Sequence, residues 1–166
     1  MVNIRPAHAA DLDAIAQLIP RVVSAMQAEG NDQWQADYPL PEHYARDVEQ
    51  GRLWVIIHGG RLAGVVCIND VTFPEYEAIP WSVDGPYLTI HRLAVDPDFH
   101  RHGFGRALVT FAEEQARALG MTHMRVDTYS RNLAMQRLFT SAGYEKRGEF
   151  YTPERAQPFY AYEKVL

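Results

Sequence analysis

The stretch Leu88-Thr-Ile-His-Arg-Leu-Ala-Val95, followed by Asp96-Pro97 and then by His100-Arg-His-Gly-Phe-Gly-Arg106, reads as a strand that enters a turn and then opens a helix. Two glycines, Gly103 and Gly105, stand in the turn, so a bulky anion can approach the main chain closely there. The expected helix, Arg106 to Leu119, aims its positive dipole end and its unpaired first amides at the same spot. A phosphorylated ligand is expected at this loop.

Two familiar phosphate loops do not match. A P-loop needs four residues between its glycines and a Lys-Ser/Thr after the second, and this chain has neither. A dinucleotide-binding turn needs a third glycine, where this chain has Leu108, and an acidic residue ending a second strand about 20 positions on. A third pattern fits: a basic or amide residue, two variable residues, Gly, any residue, then Gly or Ala, directly after a strand and Asp-Pro. On those residues the segment resembles the coenzyme A pyrophosphate loop of the GNAT superfamily of N-acetyltransferases, as a bacterial-type, single-domain member. His100 stands where the family usually has Arg or Gln, and Arg101 and Arg106 are expected to supply the charge. Together with His123, the His100-x-His102 spacing could suit a metal ion, but no nearby Cys or carboxylate completes a ligand set, so no metal is expected.

Outward from the loop, a chain of 166 residues with 47% hydrophobic and 22% charged residues is expected to form one globular domain over residues 1–166. Its 16 basic and 21 acidic residues give a net charge of −5, which argues against sequence-independent nucleic-acid binding. Cys67 is the single cysteine, so no intramolecular disulfide forms, and it suits core filling in a reducing compartment. Arg5, Asp11 and Asp13 exclude a signal peptide in the first twenty residues, and no apolar run reaches the ~20 residues of a membrane span. A cytoplasmic protein without a membrane partner is expected.

Along the chain, Val2 to Ala7 reads as an edge strand. Leu12, Ile15, Leu18 and Ile19 mark one face of a helix that Pro20 is expected to interrupt before Arg21 to Ala28 resumes it. Residues 33–41 are too rich in proline for a regular element, and Glu42 to Gln50 is a second helix with Pro41 at its first position. Arg52 to His58 and Arg61 to Ile68 flank Gly59-Gly60 as a hairpin. Asp70 to Pro86 is irregular. Past the loop and its helix come a strand over Thr122–Tyr129, a helix over Asn132–Ala142, and strands over Tyr144–Tyr151 and Phe159–Val165. This order resembles the GNAT fold from end to end. It implies an α/β (α+β) architecture: a mixed, mostly antiparallel twisted sheet of about seven strands, splayed between the fourth and fifth, with about four flanking helices.

The resemblance implies acetyl-coenzyme A as cofactor and direct transfer of its acetyl group to a primary amine, on a small molecule or a peptide N-terminus. The coenzyme would meet Leu93, Ala94 and Val95, the loop residues His100, Arg101, His102, Gly103, Phe104, Gly105 and Arg106, and then Asn132 and Phe139. Asn132 corresponds to an Asn that commonly bonds the pantetheine arm, although Asn is also a good helix cap. Phe139 stands where many members have an acidic Tyr, which leaves Tyr144, Tyr129 or Tyr151 as candidate acids. His91 is the preferred base, because an unshifted imidazole titrates near 6.5 and a similar stretch supplies a histidine relay in arylalkylamine acetyltransferases. Asp127 is the second base, at the place where some N-terminal acetyltransferases have Glu, unless it pairs with Arg125 or Arg131. Trp34, Tyr38, Phe73 and Trp81 fall in segments that cover the acceptor site in this fold, where they either hold the amine or plug the loops. A homodimer is implied as possible, with the C-terminal strand as an exposed edge. The competing reading, prompted by Phe139, is an acyl-coenzyme A sensor or partner-binding domain.

Overall fold

The computed structural model describes residues 2–166. Its elements run β1 (Asn3–Pro6), α1 (Leu12–Ala28), α2 (Pro41–Glu49), β2 (Leu53–His58), β3 (Arg61–Asn69), β4 (Tyr87–Val95), α3 (Phe104–Ala118), β5 (His123–Tyr129), α4 (Leu133–Ser141), β6 (Glu145–Phe150) and β7 (Phe159–Val165). The sheet order is β1-β2-β3-β4-β5-β7-β6, with β4 and β5 parallel, so the sheet is mixed and its flanking helices number four. Two compact units share the chain: one runs through Ile68 and takes up His91–Leu108, and the other comprises Asn69–Ile90 and Val109–Leu166.

In the first unit, Gly59 and Gly60 take φ of 56° and 77°, the left-handed pair that a tight β2–β3 hairpin requires. Ile15, Leu18, Ile19 and Val22 recur at helical spacing on α1 and bury against Val55, Val65, Cys67 and Trp34. Pro20 does not interrupt α1, which is one helix of 17 residues. An interior proline costs about 3 kcal/mol, and burying each large apolar side chain returns roughly 1.5–3 kcal/mol. Four such side chains on both sides of Pro20 outweigh it, and Pro20 itself faces outward. After β4, the turn is tied down by charge. Arg21 of α1 and Arg61 of β3 both reach Asp96 and Asp98 at 3.0–3.3 Å, and the buried Asp96 carboxylate accepts from the Asp98 amide at 2.9 Å.

In the second unit, β5 pairs with β7 along all seven residues, and β6 covers the other edge of β7. The C-terminal strand is therefore interior, contrary to expectation, and β6 is the edge. The segment before β4 is less irregular than its composition suggests, since Pro74–Ala78 forms a 3-10 turn. It docks on β6 where the register slips between Lys146 and Gly148. A Cβ on Gly148 would come within 3.2 Å of Ile79 Cδ1, so the missing side chain makes room for that segment. Tyr76, Ile79, Tyr129, Phe150 and Phe159 form the core there. The α3 residues Val109, Ala112 and Ala116 are buried, and the nearly buried Glu113 pairs with Lys164 at 2.9 Å.

Candidate active site

In the first unit, the backbone around the glycine loop is unusual. Among the described residues, two non-glycine residues have left-handed φ: Arg92 at 50° and Arg101 at 67°. Such conformations cost of order 1–3 kcal/mol and cluster at ligand clamps. Gly103 follows at 76°, and no atom lies within 4 Å of where its Cβ would stand. Helix α3 starts at Phe104, two residues earlier than the pattern suggested, so the amides of Phe104, Gly105 and Arg106 occupy the first turn, where no carbonyl precedes them. His100, Arg101 and Arg106 are exposed around that turn.

The loop rests on an aromatic floor. His58 lies 5.4 Å from Phe99, 5.9 Å from His102 and 5.3 Å from Phe104, ring to ring, and Arg61 sits 4.9 Å over Phe99. His102 is thus packed on this floor, with Nδ1 3.2 Å from the His100 carbonyl, whereas His100 is not part of it. Leu93 and Val95 are half-buried and Ala94 is in the core. Gly64 on β3, which no motif singled out, faces this strand. A Cβ there would stand 3.2 Å from the Ala94 carbonyl and 3.4 Å from Leu108 Cδ1. Its only signal in the sequence is a glycine inside a strand, the mark of a close backbone approach. An open, left-handed glycine turn, a fresh helix N-terminus and exposed basic residues together fit a diphosphate.

His91 is half-buried on β4. Trp34 is a core residue, 5% exposed, and Tyr38 packs against His43 with rings 4.9 Å apart while its hydroxyl accepts from Arg92 at 3.0 Å.

In the second unit, the β4–β5 ladder holds the pairs Tyr87↔His123 and Leu88↔Met124, at the start of strands of nine and seven residues. Next along β4 is the fully buried Thr89, whose hydroxyl lies beside that of Tyr76 without completing a hydrogen bond. Tyr76 instead donates to Asp127 Oδ2 at 2.6 Å. Trp81 Nε1 donates to the Tyr76 carbonyl at 2.8 Å, fixing the turn that carries Tyr76. Part of the Asp127 side chain remains accessible, yet desolvation of its carboxyl raises the pKa from 3.8 to about 6, with the Tyr76 hydrogen bond pulling the other way. The pairing considered with Arg125 does not form. That guanidinium donates to the Val83 carbonyl at 2.8 Å and lies over Trp81 and Tyr87.

The other named residues of this unit are mostly structural in their contacts. Asn132 caps α4, its Oδ1 accepting from the Met135 amide at 3.1 Å. Phe139, 2% exposed, packs on Tyr144 and Tyr162 at 5.2 and 5.8 Å. Tyr144 is buried as well. Its hydroxyl has no hydrogen-bond partner among the described residues, and desolvation pushes its pKa well up. Tyr129 is buried and accepts from the Gln157 amide at 3.0 Å, while Tyr151 is exposed. Phe73 lies on Phe150 and Phe159 at 5.5 and 6.0 Å, and Trp81 on Tyr76 at 5.2 Å. Tyr76 and Gly64 were not legible as site residues.

Residues 19–144 match the acetyltransferase (GNAT) family. A curated relative, N-acetyltransferase family 8 member 3 of Rattus norvegicus, is 28% identical over 119 residues, which are 70% of this chain. The match spans 46% of that relative's own length. Among solved structures, a GNAT-family acetyltransferase from Streptococcus agalactiae 2603 is 29% identical with a TM-score of 0.85, covering 99% of this chain and 95% of that one. A ribosomal-protein-alanine N-acetyltransferase from Brucella melitensis, 20% identical, shares the fold with a TM-score of 0.74 and 99% coverage of each chain.

Proposed function

Because the chain belongs to the GNAT acetyltransferase family, we propose that it is an acetyl-coenzyme A-dependent N-acetyltransferase acting directly on a primary amine, of a small molecule or of a protein N-terminus. The observation that carries this reading is Asp127, a carboxyl with a pKa of about 6 held by the Tyr76 hydroxyl. At neutral pH it is ionised and basic enough to take a proton from an incoming ammonium. When bound, acetyl-coenzyme A supplies an acetyl group activated as a thioester. His100, Arg101, Arg106 and the first-turn amides of α3 would hold its diphosphate. Main-chain groups of Leu93 and Val95 would hold its arm.

Asp127 removes the proton and Tyr76 keeps the accepting oxygen oriented. Tyr144 is given no proton to deliver: a buried hydroxyl with a raised pKa is a poor acid, so the proton taken up by the departing thiolate would come from solvent. Phe73 and Trp81 border the aromatic cluster around Tyr76 and would line the acceptor side of this unit. His91 is the competing base, and Asp127→Asn and His91→Ala separate the two. Free thiol release is measured across a panel of amines against pH. Asp127→Asn is expected to lower kcat/KM at least roughly a hundredfold and to erase an acidic limb near pH 6, while His91→Ala keeps that limb. The reverse pattern transfers the role to His91. Coenzyme binding with no amine-dependent thiol release anywhere in the panel would support the sensor reading instead.

A cytoplasmic setting and a homodimer belong to the same proposal. They draw support from the burial of Cys67, the single cysteine of the sequence, and from the position of β6 at the end of the sheet order. Sedimentation over a concentration series checks the second.

A further inference from the structure

Arg92 lies inside the nine-residue strand β4, yet its φ is 50°, where extended residues have φ near −120°. The left-handed region is disfavoured for any residue with a Cβ, and a conformation of this kind persists only where surroundings impose it. The surroundings here are specific. Arg92 Nε donates to Asp47 Oδ2 at 2.6 Å and Nη2 to Asp47 Oδ1 at 2.7 Å, a two-pronged pair with the carboxylate of α2. Nη1 donates to the Tyr38 hydroxyl at 3.0 Å, and Nη2 also lies 3.4 Å from Cys67 Sγ. The Asp47 side chain is 5% exposed and that of Arg92 13%.

A buried ion pair is poor value as a stabiliser, because desolvation cancels most of its attraction. A pair kept under those terms at a strained backbone position has another use. Arg92 immediately precedes Leu93, Ala94 and Val95, so its φ sets the direction in which the next amides and carbonyls face. We propose that the Asp47–Arg92 pair is a backbone clamp: it holds β4 in a left-handed step and thereby aims the main-chain groups of Leu93 and Val95 at the coenzyme arm. Asp47 and Arg92 are positioning residues, touching neither coenzyme nor acceptor. The inference rests on the proposed placement of the arm beside these residues.

Glycine provides the test, since it adopts positive φ without help. Two double variants, Asp47→Asn with Arg92→Gly and Asp47→Asn with Arg92→Ala, remove the same charges and differ by one methyl group. Coenzyme A affinity is measured by calorimetry, folding by circular dichroism, and amide exchange at residues 93–95 by mass spectrometry. Asp47→Asn alone and the alanine double variant are expected to bind coenzyme A roughly tenfold more weakly. The glycine double variant is expected to return to within about threefold of the parent. Equal affinity of the two double variants overturns the clamp, and so does parental affinity in Asp47→Asn. Should the single variant fail to fold, the comparison of glycine with alanine still decides. In the parent protein, coenzyme A is expected to slow exchange at residues 93–95. Binding without that protection removes the arm from this strand, overturning the placement itself and the clamp with it.

Discussion

Asp127 meets a hydroxyl from Tyr76 where the local sequence offered it a guanidinium, and that exchange of partner changes what the residue can do. A carboxylate beside Arg would sit below its ordinary pKa, whereas a desolvated one sits above, at about 6 against 3.8. The folded state then binds the proton more tightly than the unfolded chain, so stability contributed by this group is present below pH 4 and is lost as pH rises toward 6. At about 1.4 kcal/mol per pH unit, Asp127→Asn is expected to be more stable than the parent by up to about 3 kcal/mol above pH 6. The gap should close near pH 4, as read by urea titration at the two pH values. A gap that is constant with pH would mean the carboxyl is not raised. Cys67 is the opposite case, a thiol packed in the core. It is fully buried and pushed up to about 12 by desolvation, so it should resist alkylation at pH 8 in the native protein and react only on unfolding. Labelling of the folded protein within minutes would contradict that packing.

At the scale of the element, local patterns predict strands and helices well and fail where distant packing overrules them. The seven-residue strand Phe159–Val165 and the Gly59-Gly60 hairpin follow their alternation and turn chemistry. Helix α1 does not obey its proline, because residues on both sides of Pro20 are anchored in one core. Pro20→Ala restores a hydrogen bond at an exposed position but frees the unfolded chain, and a net gain of about 1–2 kcal/mol is expected. Chemical denaturation measures it, and no gain would indicate that α1 has already relaxed around the ring. In the phosphate loop, Arg101 mixes a charge with a left-handed φ. Arg101→Gly suits the left-handed φ and removes the guanidinium together with the rest of the side chain. It should weaken coenzyme A binding about fivefold, the worth of an exposed charged contact, with the loss fading at high salt. An unchanged affinity would take Arg101 out of the coenzyme site.

For the whole molecule, coenzyme binding and folding are linked. At about 100 times its Kd, coenzyme A should add about 2.7 kcal/mol and raise Tm by roughly 5–10 °C. A shift below about 1 °C would leave the loop without its ligand. The element order, the strand-loop-helix at Leu88–Arg106 and the family are readable from the chain because they rest on neighbouring residues: periodicity, turn glycines, and a helix start that follows a strand directly. Other features were closed to such reading. Asp47 and Arg92 are 45 residues apart, Tyr76 and Asp127 are 51 apart, and Gly64 meets Ala94 across two strands. Nor does composition reveal that Tyr144 is desolvated while Asp127 accepts a short hydrogen bond from Tyr76. Local propensity acts over a few residues along the chain, whereas pKa, strain and close approach depend on which distant atoms are brought within a few ångströms. That pairing exists only once the chain has folded.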